Sequence, residues 1–215
     1  MNLHFFDVDY TILRRSTVIE FLFFGLKEGL VGCSIFWYLP GLFFNYLIHG
    51  SKGAHAEKSY PFFKGIEKSK LEALSQQVFE NRLLPYLDQE IVQRIKVLQN
   101  EGKQIVLASS SFLILLEPLA RYLGIQDIIS SEIEFNEGLS TGRLAGEAPF
   151  GTGKKNRIME YLSERKIAAK DCAFYSDSSQ DLPLLRAVGN PVVVNPKRKL
   201  RHIAQKKGWE IIDTK

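Results

Sequence analysis

Cysteine is scarce in this chain of 215 residues: Cys33 and Cys172 are the only two. They form no framework of pairs and have no metal-ligand spacing, so neither disulfides nor a thiolate metal site can organise the fold, and the usage suits a reducing cytoplasm. Excess charge is scarce as well. Lys and Arg number 28 against 24 Asp and Glu, a formal net charge of +4, too little to imply nucleic acid without a clustered patch or a reading motif, and no such motif is present. The one basic run, "NPKRKLRHIAQKK" at 195–207, is either a solvated helix face or a surface for an anionic partner or membrane. The first residues lack a basic n-region, and Asp7 interrupts the apolar run before it reaches signal-peptide length, which points to the cytosol. Internal repeats and low-complexity segments are absent, and 45% hydrophobic residues suffice for a full core.

Charge is also missing locally. Gly29 to Ile48, "GLVGCSIFWYLPGLFFNYLI", holds no charged residue across 20 positions, a length that would satisfy a spanning helix. Pro40-Gly41 in its middle, with Gly32, Ser34 and Asn45, fits a broken helix or helical hairpin better. Three readings stay open: a buried helical subdomain, an interfacial or re-entrant element with Trp37 and Tyr38 at headgroup level, and a true span.

What is present is an alternation. Residues 3 to 8 read as a buried strand. After the apolar stretch and a polar loop at 50–60, "IEKSKLEALSQQVFENRLLPYL" has helical spacing with Ser69 as a candidate cap. "DQEIVQRIKVLQNEG" reads as an amphipathic helix ending at Gly102, "QIVLA" as a strand, "SSS" as a turn, and the next stretch as a helix to "YLGI". "DIIS" suggests a short strand, "EIEFNEGLSTGRLAG" a hairpin, "GKKNRIMEYLSERKI" a helix, "CAFYS" a strand, "DLPLLRAVG" a helix, "PVVVN" a strand and "KLRHIAQKKG" a closing helix. Strand and helix in turn imply an α/β fold: a doubly wound parallel sheet with an all-helical unit inserted after its first strand. The expected division is a core of 1–12 and 86–215 with an inserted cap of 13–85.

In such a sheet, ligands gather beyond the carboxyl ends of the strands. The residues there are Asp7 and Asp9 after the first strand, Ser109 after the second, Asp177 and Asp181 after "CAFYS", and Lys154 opening a helix. Carboxylates of this number call for Mg²⁺, while a hydroxyl and an ammonium can hold a phosphate. Singly each residue has a structural reading as a turn or helix cap; together they describe a phosphoryl-transfer site. "GTGKK" is not a nucleotide-binding P-loop, because Ala148 occupies the first glycine's place and Lys155 that of the Ser or Thr.

"DVDYT", "LASSSF", "GTGKK" and "YSDSSQD" resemble, in order and spacing, the four motifs of the haloacid dehalogenase superfamily, in its phosphoserine-phosphatase-like branch. The resemblance implies a Rossmann-like core, Asp7 as nucleophile forming an aspartyl-phosphate, and Asp9 as general acid and base with Thr11 as its family companion. It further implies Mg²⁺ held by Asp7, the Asp9 carbonyl and Asp177, with Asp181 supporting from behind. Ser109 would hydrogen-bond the phosphoryl group, helped by the backbone of Ser110 and Ser111 at a helix start. Lys154 and Lys155 are adjacent candidates for the motif lysine, and spacing from Gly151 favours Lys154. Many members of the superfamily carry glycine where Tyr10 stands.

The inserted unit corresponds to the cap that selects substrate in that branch. It is mostly aromatic and aliphatic, with few charged candidates such as Glu20, Lys27, Glu28 and Lys52. Within the branch the chain is also similar to the bacterial phosphatidylglycerophosphatase C family, in its apolar cap, in Gly151 three residues before Lys154, and in "YSDSSQDLPLL". Phe23, Phe24, Phe36, Trp37, Phe43 and Phe44 could meet lipid or form the cap's own core. Three functions follow as expectations: a phosphatase for a lipid phosphate such as phosphatidylglycerophosphate at the inner face of the membrane, a phosphatase for a soluble ester such as phosphoserine or histidinol phosphate, and a non-enzymatic membrane-associated binding module. Neither the oligomeric state nor the depth of membrane contact follows from the residues.

Overall fold

The computed structural model describes residues 3–31, 60–146 and 152–214. Its centre is β1 (Leu3–Phe6), four residues buried on both faces, as expected of a strand in a parallel sheet covered on both sides. β1 pairs in parallel with β2 (Gln104–Phe112) and with β6 (Cys172–Ser176), so Leu3 faces Gln104 on one side and Cys172 on the other. Outside these lie β3 (Asp127–Ser131), β7 (Asn190–Val194) and β8 (Glu210–Ile212), giving the order β3-β2-β1-β6-β7-β8, every pairing parallel.

Side chains alternate across this sheet into two cores. Leu3, Phe5, Val106 and Phe174 point to the face covered by α5 (Thr152–Glu164) and α7 (Arg198–Lys207). Phe6, Leu107 and Tyr175 point to the other, with α3 (Gln89–Asn100) and α4 (Leu113–Leu123). Phe6 and Tyr175 stack there at 4.0 Å between centroids. The hairpin of β4 (Ile133–Asn136) and β5 (Leu139–Leu144) is separate and antiparallel.

The helical layer includes α1 (Thr17–Lys27) and α2 (Lys68–Val78), which pack on each other, and α2 also packs on α4. The chain leaves and rejoins the sheet layer at one place. Leu13 and Leu87 form an antiparallel bridge, the Arg14 amide donates to the Tyr86 carbonyl at 2.9 Å, and the Asp88 amide donates to the Ile12 carbonyl at 2.8 Å.

Several elements differ from the sequence expectation. β1 stops at Phe6, because Asp7 and Val8 already turn into the loop. The three serines are not a turn: β2 runs through them to Phe112, with its pairing to β3 shifting between Ala108 and Phe112. Ser69 is no cap, since α2 starts at Lys68 behind Glu67 without a side-chain cap bond, and beyond it the chain passes through a π turn, Phe79–Leu83, and a 3₁₀ turn, Leu84–Tyr86, around Pro85. The helix expected over 181–189 shrinks to α6 (Leu182–Leu185), and β8 is a strand no sequence pattern announced, three residues recruited to the sheet edge after Gly208. Beyond Val31, the uncharged stretch to Ile48 lies outside the described residues, as do Cys33 and Gly151. Among the described residues no helix is long and apolar enough to cross a membrane.

Candidate active site

The carboxyl ends of β1, β2 and β6 meet the amino end of α5 at a cleft of about 250 Å³. Asp7, Asp9, Ser109, Ser110, Lys154, Asp177 and Asp181 all line it, together with Tyr10, Ser178, Gln180 and Lys197. A larger cleft of about 510 Å³ lies at the amino ends of β7 and β8, around Val188, Pro191 and Trp209, and contains none of these groups.

Asp7 follows β1 directly, its amide donating to the Tyr175 carbonyl at 2.9 Å. Its Oδ1 accepts from the Val8 amide at 2.9 Å and lies 3.1 Å from the Lys154 ammonium, so both partners fall on one oxygen and, among the described residues, Oδ2 has none. Lys154 is only 4% exposed; its Nζ also donates to Asp181 Oδ2 at 3.0 Å, where the buried Ser176 hydroxyl donates too, at 2.7 Å. Of the two adjacent lysines, Lys154 is the one in the cleft. Burial, the larger influence on Asp7, raises its carboxyl well above the usual range, against the pull of the Lys154 ammonium, and the carboxylates of Asp181 and Asp177 add to the rise. Burial would lower the Lys154 proton affinity, but Asp181 and Asp7 outweigh it, and the ammonium is held above its ordinary value.

Asp9 sits in a cradle of hydroxyls. Ser16 Oγ donates to Oδ2 at 2.9 Å, and the Thr17 amide and Oγ1 donate to Oδ1 at 3.1 and 2.9 Å. Thr17 Oγ1, its proton committed to Asp9, accepts from Ser111 Oγ at 2.6 Å, and Ser111 also reaches Asp9 Oδ2 at 3.4 Å. Burial raises the Asp9 carboxyl, and the Thr17 and Ser16 bonds partly oppose this. Tyr10, next in the chain, has φ 60° and is 50% exposed. That left-handed conformation explains why glycine is at home there.

Thr11 is buried behind the cleft. Its Oγ1 accepts from the Asp177 amide at 3.1 Å, so it fastens the loop after β1 to the loop after β6 and is not one of the hydroxyls that hold Asp9. Ser109 is buried, its Oγ accepting from the Ser111 amide at 3.1 Å. Here the expectation of a helix start is corrected: α4 begins only at Leu113, and the Ser111 amide already serves Ser109. Ser110 is exposed, with its carbonyl accepting from Ser131 Oγ at 2.8 Å.

Asp177 is half-buried, and its side chain makes no hydrogen bond or ion pair to another side chain among the described residues. Burial, and then the neighbouring Asp181, push its carboxyl up to about 6. Among the described residues no three His, Cys, Asp or Glu side chains converge on one point. The fit to a cation therefore rests on chemistry: four carboxylates against two ammonium groups line the cleft, all donors are hard oxygens, and the Asp177 carboxylate accepts from its own backbone amide but from no other side chain among the described residues. That set suits Mg²⁺, with the balance of its shell from backbone and water.

Sequence reasoning passed over Ser16, Thr17 and Ser176, and took Ser111 for its backbone amide, not for the hydroxyl that reaches Asp9. Ser16-Thr17 ahead of an apolar run is a helix-start signal, but only folding brings it against Asp9.

With this geometry in view, comparison with known proteins is direct. The family model for haloacid dehalogenase-like hydrolases matches residues 4–186. The chain belongs to this family. It is a hydrolase with relatives named as phosphatases. A phosphoserine phosphatase of Mycobacterium tuberculosis is 29% identical over 97% of this chain and 70% of its own length. A histidinol-phosphatase of Neisseria meningitidis is 27% identical over 100% of this chain and 99% of its own. Among solved structures, a protein of unknown function from Bordetella pertussis superposes with a TM-score of 0.86 at 28% identity, covering 98% and 97% of the two chains.

Proposed function

We propose that this hydrolase is a Mg²⁺-dependent phosphomonoesterase working through an aspartyl-phosphate on Asp7. The observation that carries this reading is the pairing of Asp7 Oδ1 with Lys154, with no partner on Oδ2 among the described residues, in the cleft that the hydroxyl-bound Asp9 also lines. Asp7 Oδ2 attacks phosphorus, the bond from phosphorus to the leaving alcohol oxygen breaks, and Asp9 gives its proton to that oxygen. A water then loses a proton to Asp9 and attacks phosphorus, releasing inorganic phosphate and the Asp7 carboxylate. Ser109 and the Ser110 backbone hold the phosphoryl oxygens together with Lys154. Asp181 keeps Lys154 charged and in place. Asp7, the Asp9 carbonyl and Asp177 would hold Mg²⁺, which when bound neutralises charge on the phosphoryl group.

The bridge between Leu13 and Leu87 supports a division into a core of 1–12 and 86–215 and a cap of 13–85. Two observations bear on the substrate. Ile19 and Phe23, 50% and 67% exposed and one turn apart on α1, present an apolar face on the helix that leads into the uncharged stretch. This favours a lipid phosphate such as phosphatidylglycerophosphate, met peripherally at the cytoplasmic face of the membrane. The names of the relatives favour a second reading, a soluble ester such as phosphoserine or histidinol phosphate.

The test is phosphate release with Mg²⁺ or EDTA from phosphatidylglycerophosphate in vesicles, from phosphoserine and from histidinol phosphate, with Asp7→Asn as blank. Asp7- and Mg²⁺-dependent release, fastest from vesicles, is the expected result. Release from a soluble ester alone refutes the lipid reading, and vesicle binding without turnover of any ester refutes the enzyme.

A further inference from the structure

The basic run at 195–207 has no part in the reaction just described, yet its first cation lies at the rim of the cleft. Lys197, just past β7 and just before α7, lines the same space as Asp7, Ser109 and Asp177. In the sheet order, β7 lies on the far side of β1 from the serines of β2, so Lys197 approaches from the flank opposite the proposed phosphoryl-binding hydroxyls.

The other ammonium lining the cleft, Lys154, is already committed to Asp7 and Asp181. Lys197 is exposed and makes no ion pair among the described residues. Nor does it serve its helix. It occupies the N-cap position without a side-chain cap bond, Arg198 and Lys199 follow, and the first turn of α7 holds no acidic residue. Cations at that end oppose the helix dipole. An exposed ammonium without an ion pair at the rim of a phosphoryl-transfer cleft, close enough to act on Asp177 and in a position where its own helix would favour a carboxylate, is placed to meet an anion from solution.

We propose that Lys197 is a specificity residue that pairs with a second anionic group on the substrate. On this basis the enzyme prefers phosphomonoesters whose alcohol carries a carboxylate or a phosphodiester over those whose alcohol carries only cations. The inference rests on the phosphomonoesterase reading and sharpens it: phosphatidylglycerophosphate offers a phosphodiester, phosphoserine a carboxylate beside an ammonium, and histidinol phosphate only basic groups.

The experiment compares kcat/KM for phosphatidylglycerophosphate in mixed micelles, phosphoserine, histidinol phosphate and phenyl phosphate, in the wild-type chain and in Lys197→Ala, Lys197→Arg and Lys197→Glu. Loss of one charge-assisted contact is expected to cut the preference for an anionic ester over phenyl phosphate about tenfold in Lys197→Ala, mainly through KM. Lys197→Arg restores the preference, and Lys197→Glu turns it towards histidinol phosphate. A loss confined to the micellar lipid identifies a phosphodiester as the group read, and one confined to phosphoserine identifies a carboxylate. Lys206→Ala with Lys207→Ala, at the far end of α7, removes net charge without touching the cleft and should leave the preference as it was. Equal changes on all four esters, or the same loss from the Lys206 and Lys207 variant, overturn the inference. Absence of Asp7-dependent release from every ester would overturn the phosphatase reading beneath it, a result distinct from turnover that ignores Lys197.

Discussion

Removing the Lys154 ammonium while keeping its stem, as in Lys154→Met, isolates the interaction on which the cleft depends. Lys154 is 4% exposed and lies 3.1 Å from Asp7 and 3.0 Å from Asp181, themselves 7% and 2% exposed. Breaking a buried ion pair from one side costs about 3–5 kcal/mol, because the partner charge stays in low dielectric. Here two partners are stranded, but Asp7 already binds its proton well above the usual carboxylate range, so protonation caps the loss. The unfolded Asp7 carboxylate ionises near its ordinary pKa of about 4, whereas without the ammonium the folded one, already raised, ionises at still higher pH. The deficit is therefore small where both states are protonated and grows as pH rises. About 4 kcal/mol is expected at pH 8, falling to about 1–2 kcal/mol at pH 5. For a chain of 215 residues the larger figure corresponds to a Tm lower by about 10 °C. Urea unfolding followed by circular dichroism at the two pH values, in EDTA, measures both. A deficit below about 1 kcal/mol at pH 8, or one equal at both pH values, would refute the account of Lys154 as the cation that makes this carboxylate cluster tolerable.

The neighbouring groups yield further expectations. Asp177 is pushed up to about 6, so its ionisation lowers the stability of the metal-free fold as pH rises from about 4 to 6. Asp177→Asn should stabilise that fold at pH 7.5 by about 1–3 kcal/mol, with little effect at pH 4, while abolishing phosphate release; equal melting of the two proteins at pH 7.5 would contradict this. Thr17→Val with Ser111→Ala strips Asp9 of its Thr17 and Ser111 hydroxyl partners, and kcat should fall about tenfold or more for an alkyl phosphate but less for nitrophenyl phosphate, whose leaving group needs little protonation. Equal losses on the two esters would count against Asp9 as the acid. Gly189→Ala should cost about 3 kcal/mol or more, because a Cβ there would collide with the Lys170 carbonyl; a thermal melt within about 2 °C of wild type would show that the loop yields.

The legible parts of this molecule were those with local causes. β1, β6 and β7 are short apolar runs, and α3 is capped by Asp88, whose side chain accepts from the Glu90 and Ile91 amides. The parts that were not legible have non-local causes. Nothing in "SSSF" distinguishes a turn from a strand continuing beside β3, and nothing in "EII" announces a strand until β7 offers an edge. Thr11 is a similar case: the family resemblance implies a partnership with Asp9, and only the parallel register of β1 and β6 brings the Asp177 amide to its hydroxyl.

By itself the amino-acid order determined the α/β alternation and which residues follow each strand, because hydrophobic period and residue type are written along the chain. The convergence of Asp7, Asp9, Ser109, Lys154 and Asp177 in one cleft is a property of the parallel sheet, which puts the carboxyl ends of all its strands on the same side. Which of two lysines enters that cleft, which hydroxyls hold Asp9, and that Lys197 faces the carboxylates were decided only by tertiary structure. These depend on helix phase and strand register between segments up to 190 residues apart, and such distances are set by packing and not by neighbours in sequence.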